Sequence, residues 1–513
     1  MFTGRIFRAV IMGKICLCLT GKTLSQNMET LEKNRKYADI VELRADCLDP
    51  DERFHLRRFP EMAGVPVILS IRRAIDGGCY RSGESARITL LARGLAYANA
   101  DRRRNFAYVE LEEDLNVPSL EEAARAFGTR IIRSWYNMEG VDENLAEKLM
   151  QLRRVGDELV KAALVPRSLD DVVRVYQAAE KISDIEKILL CTGEFSANTA
   201  ILAEHLGSRI SYTFPAGENE NTPAPPGQLT PRELAEVYRF HKISRQTKIF
   251  AVSGYPLNFS PAPRFFNKIF EMELTDAVYI PLPADSIDSL VRFAAEIGIS
   301  GLSITSPYKE KILPRLAVKS DDVISTGACN VIVSGPQGWA GHNANAEGFS
   351  GSLLPFIGRK DLRGRKLTII GAGASAKAAA AEVYRLKGKA LILNRTAAHA
   401  RALAALYRFA WAGLDSRGAD MMQKYSEIIL QTTPVGMFPN TQADPLESYP
   451  FSGRETVMDF IWKPEKTRFL VRAEKAGCRV LSGYDMLSRQ FRRQYAYFMG
   501  RELPPSLISR MEL

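Results

Sequence analysis

Lys366-Leu-Thr-Ile-Ile-Gly-Ala-Gly-Ala-Ser-Ala376 carries a strand-like apolar run straight into a glycine-rich turn, and that turn opens an alanine-rich helical stretch. The order suits a bound phosphate. A strand delivers the chain to a sheet edge, glycines let backbone N–H groups come close, and the helix N-terminus offers unpaired donors to an anion. Gly371, Ala372, Gly373, Ala374 and Ser375 are therefore expected to cradle a dinucleotide pyrophosphate. The next apolar run, 390–393, ends in Asn394-Arg395-Thr396. An acidic side chain about 20 residues past the motif would bind an unmodified ribose. Arg395 instead offers a guanidinium to a 2′-phosphate, so the expected cofactor is NADP(H), held by Asn394, Arg395 and Thr396 as well as the turn.

Moving outward, strand-like runs at 248–253, 277–280, 301–305 and 330–333 precede this unit and read as a smaller α/β domain. From Gly483 onward the chain turns helical, and this tail is expected to pack back on the smaller domain. Further upstream, apolar runs at 14–20, 40–46, 65–73, 106–112, 130–136, 159–165, 187–193 and 209–214 alternate with amphipathic helical stretches. Eight such runs predict a (β/α)8 barrel closing near residue 240. The organisation expected is a barrel at 1–243, an α/β substrate domain at 244–348, a Rossmann domain at 349–480 and C-terminal helices at 481–513. Residues 1–12 read as a disordered extension.

Bulk properties narrow the function. The 513 residues are 46% hydrophobic and 25% charged, with a formal net charge of +10. The basic residues are dispersed, without a Lys/Arg block interleaved with aromatics, so small anionic substrates are expected rather than nucleic acid. No apolar run approaches ~18 residues, and a soluble cytoplasmic protein without a membrane partner is expected. Seven cysteines without a CxxC pair predict neither a disulfide framework nor a structural metal. Oligomeric state is left open.

In a barrel of this kind, chemistry sits where the strands end. Glu42, Arg44, Arg72, Tyr136, Lys161 and Gln228 occupy such positions. Lys161, flanked by Val160 and Ala162, would be partly desolvated and its amine made more nucleophilic. Taken singly, Lys161 and Lys309 are ordinary lysines; the motifs around them single them out. His55 and His241 are expected off the barrel mouth and His205 within a helix, each structural.

Val41-Glu-Leu-Arg-Ala-Asp46 and Val160-Lys-Ala162 resemble type I 3-dehydroquinate dehydratases. Gly254-Tyr-Pro-Leu-Asn-Phe-Ser260, Thr305-Ser-Pro-Tyr-Lys309, Gly327-Ala-Cys-Asn330, Thr433-Pro-Val-Gly-Met437 and Gly483-Tyr-Asp-Met-Leu487 resemble shikimate dehydrogenases. The resemblance implies a fusion that dehydrates 3-dehydroquinate through a Schiff base on Lys161 and then reduces 3-dehydroshikimate with NADPH. It further implies substrate contacts from Glu42, Arg44, Arg72 and Gln228 in the barrel. In the second half it implies contacts from Ser260, Thr305, Asn330, Trp462 and Gln490, with Lys309 acting at the reacting hydroxyl and Gly483 beside the cofactor. The likeness breaks at Tyr136, Ala200 and Ala224, where the first family has a histidine, an arginine and a serine. It breaks again at Ala262 and Asn345, where the second has a serine and an aspartate. Tyr136 and Asn345 are then the residues expected at proton-handling positions. A second reading follows from the same residues: a catalytically impaired relative that binds NADP(H) or a cyclohexene carboxylate in a regulatory role.

Overall fold

The computed structural model describes residues 13–96, 99–216, 227–257 and 260–508. The expectations for residues 1–12 and for Ala224 lie outside them. Two compact units result, one made of Met1–Phe250, Pro256–Pro263 and Glu273–Gly298, the other of Ala251–Tyr255, Arg264–Met272 and Ile299–Leu513.

In the first unit, every one of the eight apolar runs carries a strand: β1 (Lys14–Leu19), β2 (Ile40–Arg44), β3 (Val67–Ser70), β4 (Tyr108–Glu112), β5 (Arg130–Asn137), β6 (Leu159–Leu164), β7 (Lys187–Cys191) and β8 (Ile210–Thr213). All neighbouring pairs are parallel, in the order β7-β6-β5-β4-β3-β2-β1-β8. A bridge between Lys187 and Ser208 brings the two ends of that order together.

Alternation along each strand sorts the side chains into two layers. Leu17, Leu19, Val41, Leu43, Val67 and Leu69 point outward into the core beneath the helices. Cys16, Ile40, Ile68, Ile132, Leu159, Ile188 and Ile210 fill the barrel interior. Two residues further along the same inward phase lie Cys18, Glu42, Ser70, Glu110, Ser134, Lys161 and Tyr212, so the apolar plug is followed by a polar layer. The segment 273–298 also packs on this unit. Its helix Ile287–Ile297 meets the barrel helix Leu169–Lys181, with Phe293 edge-on to Tyr176 at 5.8 Å and Arg292 paired to Asp170.

The second unit holds a six-stranded parallel sheet. In chain order its strands are Lys366–Ile370, Lys389–Asn394, Ala410–Gly413, Ile428–Gln431, Thr456–Asp459 and Arg479–Leu481, arranged 3-2-1-4-5-6. That order places a topological switch point between Lys366–Ile370 and Ile428–Gln431, where open sheets of this class bind ligands. The strand Gly301–Ile304 runs antiparallel to Val331–Gly335, which forms a hairpin with Gly338–His342. The tail helix Gly483–Met499 lies against Asn345–Phe356, and Gln494 accepts a 2.6 Å hydrogen bond from Ser303.

Asp459, fully buried at the end of its strand, accepts hydrogen bonds from the Ile461 N–H and the Thr467 hydroxyl, yet burial pushes its carboxyl up to about 7. The folded protein therefore keeps a proton that the unfolded chain has released between about pH 4 and 7. The corresponding stability is present below pH 4 and lost as pH rises through 7. Asp459→Asn should melt higher than the parent at pH 8, by ~4 kcal/mol at most, with the difference vanishing near pH 4. Equal melting differences at both pH values would rule this out.

Candidate active sites

The polar layer of the barrel converges on Lys161. Its ammonium is fully buried, 3.0 Å from a Glu110 oxygen and 3.8 Å from a Glu42 oxygen. The Ser70 hydroxyl bridges those two carboxylates at 2.7 and 2.8 Å. Arg72, its side chain only 13% exposed, reaches Glu42 at 3.1 Å and Glu110 at 3.7 Å. Tyr136 donates its phenol proton to the other Glu110 oxygen while its ring lies under Arg72 and Lys161. Tyr212 presents its ring face to Lys161 at 4.4 Å. Arg44 stands apart, held in a two-point ion pair by Asp46.

Electrostatics set the states of Glu110 and Tyr136. Burial would raise the Glu110 carboxyl, but Lys161 and Arg72, with the Tyr136 and Ser70 hydroxyls, hold it well below the usual carboxylate range. Burial drives the Tyr136 phenol well above its ordinary value, so it is a proton donor. Several buried polar atoms here have no hydrogen-bond partner among the described residues: Ser134 Oγ, Tyr212 OH, Arg72 Nε and Gln228 Oε1. Such groups cost ~1–3 kcal/mol each when unsatisfied, and a ligand rich in hydroxyl and carboxylate oxygens would supply what they need. Gln228 is brought in by Gly227, whose left-handed backbone passes so near Gly193 that an added Cβ would lie 1.8 Å from the Gly193 carbonyl oxygen. Gln228 lines one small cavity with Ala200, Tyr212 and Phe214.

Glu110, Ser70 and Tyr212 were not among the sequence-derived candidates. A weak signal exists for Glu110, since Tyr108-Val-Glu-Leu-Glu112 puts two acids in phase on a strand. His205 is half-buried in a short helix and lowered to about 4 by desolvation and then by the Arg245 charge, and His241 pairs with Asp39. Neither is among the groups around Lys161.

In the second unit, Lys309 follows the Thr305-Ser306-Pro307 turn on the helix Tyr308–Lys311. Burial holds its amine below the ordinary lysine value, opposed weakly by the nearby Cys329 thiol. Gly254 and Thr305 come so close that a Cβ on Gly254 would lie 2.4 Å from the Thr305 methyl, and the Thr305 N–H donates to the Ser253 carbonyl. Asn330 and Asn345 are both buried and joined, Asn330 Nδ2 donating to Asn345 Oδ1 at 2.8 Å while Asn330 Oδ1 accepts from the Ala344 N–H. Asn345 begins the helix Asn345–Phe356, against which Gln490 packs at Gly348. Trp462 is half-buried just after Ile461. Ser260 belongs to the first unit, where it accepts from the Ala262 N–H at the start of the helix Ala262–Met272.

The glycine-rich turn has the shape a dinucleotide requires. Gly371 has φ +115° and would clash with Thr432 if it carried a side chain, whereas space beside Gly373, the N-cap of the helix Ala374–Arg385, is open. Ala372 lies between the two glycines in the turn, and Ala374 and Ser375 begin the helix. Arg395 is exposed just beyond Lys389–Asn394, and the Asn394 amide donates to the Thr396 carbonyl, folding that segment back. Gly483 fits against the Phe460 and Ile461 carbonyls, where a Cβ would lie 2.5 Å from an oxygen. These residues fit NADP(H).

Comparison with known proteins places each half of the chain among relatives. Residues 15–245 match the type I 3-dehydroquinase family and residues 252–332 the shikimate dehydrogenase substrate binding domain. The NADP(+) shikimate dehydrogenase of Thermococcus kodakarensis is 32% identical, over 50% of this chain and 92% of the relative. The chloroplastic bifunctional 3-dehydroquinate dehydratase/shikimate dehydrogenase of Arabidopsis thaliana is 25% identical, over 94% of this chain and 81% of the relative. The shikimate biosynthesis protein AroDE of Chlamydia muridarum is 25% identical, over 94% and 93% respectively.

Proposed function

The chain belongs to the shikimate dehydrogenase family, behind a type I 3-dehydroquinase domain, and from that premise we propose how its residues carry out two consecutive steps of the shikimate pathway. It is a bifunctional enzyme that dehydrates 3-dehydroquinate to 3-dehydroshikimate and reduces the product to shikimate with NADPH. The observation that carries the first assignment is Lys161, buried between Glu42 and Glu110 at the polar layer of the barrel.

Lys161 attacks the substrate ketone after its ammonium proton passes to the carboxylate array, and the imine it forms draws electrons from the neighbouring carbon as that carbon loses a proton. Tyr136 stands where a histidine would act as acid and base. Glu110 takes the proton that the carbon loses, while the Tyr136 phenol, hydrogen-bonded to Glu110, gives its own to the hydroxyl that departs as water and recovers one from Glu110, so the pair divides a role that one imidazole would fill. Arg72, Arg44 and Gln228 bind the substrate carboxylate and hydroxyls. Substrate binding also satisfies Ser134 and Tyr212.

In the second half, Thr305, Asn330, Trp462 and Gln490 bind the cyclohexene acid. Gly371 to Ser375 would hold the pyrophosphate of NADP(H), Asn394 to Thr396 its ribose phosphate, and Gly483 the nicotinamide end. NADPH, when bound, supplies hydride to the ketone carbon. Lys309 supplies the proton to the ketone oxygen, while the Asn330–Asn345 pair orients the ring through neutral hydrogen bonds. Among the described residues no helix is long and apolar enough to cross a membrane, and we place the activity in the cytoplasm on small-molecule substrates.

The test is NADPH oxidation on adding 3-dehydroquinate alone. Turnover in the ordinary enzymatic range, ~1–10³ per second, is expected; NADPH binding without turnover would leave only a ligand-binding protein. Arg395→Ala should raise the KM for NADPH ~10- to 100-fold, through loss of a charge-assisted contact, and leave that for NADH unchanged. A parallel change for both cofactors would refute the 2′-phosphate role.

A further inference from the structure

We propose that Cys47 and Cys79 form a thiol pair that closes reversibly to a disulfide and, in closing, slows the dehydratase half alone. Their sulfurs lie 3.6 Å apart across two loops that follow neighbouring barrel strands, β2 and β3. Cys47 is half-buried and Cys79 exposed, whereas Cys16, Cys18, Cys191, Cys329 and Cys478 are buried.

Both loops are tied to the substrate-binding arginines. Asp46 Oδ2 accepts from Arg44 Nη2 at 2.7 Å and from the Cys79 N–H at 2.9 Å, so one carboxylate oxygen joins the two loops. The Cys47 N–H donates to the Arg44 carbonyl, and the Tyr80 N–H to the Arg72 carbonyl. Between them, Gly78 lies so tightly on Arg72 that an added Cβ would be 2.2 Å from its carbonyl oxygen. Closing the sulfurs from 3.6 Å to the ~2.05 Å of a disulfide draws the loops together and with them Arg44 and Arg72. A misplacement of ~1 Å at a positioning residue costs up to ~10²-fold in rate.

Asp46 and the two thiols also lie close enough to suggest a metal. The Arg44 guanidinium already occupies both Asp46 oxygens, and a divalent cation beside it would meet repulsion that a neutral disulfide does not.

The oxidant class is a small-molecule disulfide. Cys79, as thiolate, attacks one sulfur of oxidised glutathione, breaking its S–S bond and releasing one glutathione thiolate. Cys47 then attacks the Cys79 sulfur, breaking the mixed disulfide and releasing the second. The two protein thiol protons end on the two released glutathiones. Burial and Asp46 push the Cys47 thiol up to about 12, so the exposed Cys79 makes the first attack and Cys47 reacts only in the second, intramolecular step, where the 3.6 Å separation supplies the proximity.

The full chain equilibrated with oxidised glutathione should lose two of its seven titratable thiols and about 2 Da of mass. Dehydration of 3-dehydroquinate should fall ~10-fold or more, NADPH-dependent reduction of 3-dehydroshikimate should not change, and dithiothreitol should restore both thiols and rate. Cys79→Ser and Cys47→Ser, each active at the parent rate when reduced, should lose the response. Seven thiols remaining, a stable glutathione adduct in place of the internal bond, or the same slowing in either serine variant would overturn the proposal. The kinetic arm rests on the dehydratase assignment; the thiol count and mass do not, so failure of one is distinguishable from failure of the other.

Discussion

Lys161→Ala lowers turnover of 3-dehydroquinate by ~10⁴-fold or more, while the same preparation goes on reducing 3-dehydroshikimate with NADPH at the parent rate. The size follows from chemistry. Without an amine there is no imine, and without the imine the carbon beside the ketone has no comparable electron sink. Borohydride added with substrate should leave a covalent adduct on the parent and none on the variant. The substitution has a structural cost as well, since Lys161 is the buried cation between Glu42 and Glu110, and removing one partner of such a cluster costs ~3–5 kcal/mol. The reductase rate of the same chain therefore serves as the control for folding. Lys161→Met, closer in volume, should lose the dehydratase to the same degree with a smaller drop in melting temperature. Retention of more than a few per cent of dehydratase turnover in either variant would exclude the Schiff-base role.

Lys309→Ala should cost the second reaction ~10²–10⁴-fold and leave the first intact. Its pH behaviour is the sharper test. Burial holds the Lys309 amine below the usual lysine value, and reduction of the ketone needs that amine protonated. The rate of reduction should fall as pH rises through the lowered pKa, and oxidation of shikimate, which needs the neutral amine as acceptor, should rise over the same interval. Asn345→Asp places a carboxylate where an amide now pairs with Asn330. If that charge reaches the amine it favours the ammonium form, so both limbs should move to higher pH. Limbs that persist in Lys309→Ala would assign the titration to another group.

Much of the architecture was legible before any coordinates. The glycine-rich turn between a strand and an alanine-rich helix is a local pattern, and 366–385 folds as those rules require. The eight apolar runs likewise became eight strands, with ends shifted by at most three residues, as when 65–73 shortened to Val67–Ser70. The short strands Val318–Lys319 and Arg479–Leu481 were not anticipated. Two or three residues carry no readable period, and each is held by its neighbour in the sheet.

The active sites were legible only in part. Lys161 and Lys309 stood out because their motifs are contiguous. Glu110 was passed over although it lies 3.0 Å from Lys161, because 51 residues separate them and nothing in either stretch names the other. The same is true of Ser70 between its two carboxylates and of Cys47 opposite Cys79. The sequence by itself determined which segments are strands, which turn could accept a pyrophosphate and which lysines merit attention, since each depends on the periodicity and backbone freedom of a few consecutive residues. Tertiary structure alone decided which acid faces Lys161, that Tyr136 donates to it, and that Asn345 is spent on Asn330. Those pairings follow from strand register and barrel closure, which bring together residues tens of positions apart and are summed over the whole sheet rather than written in any one segment.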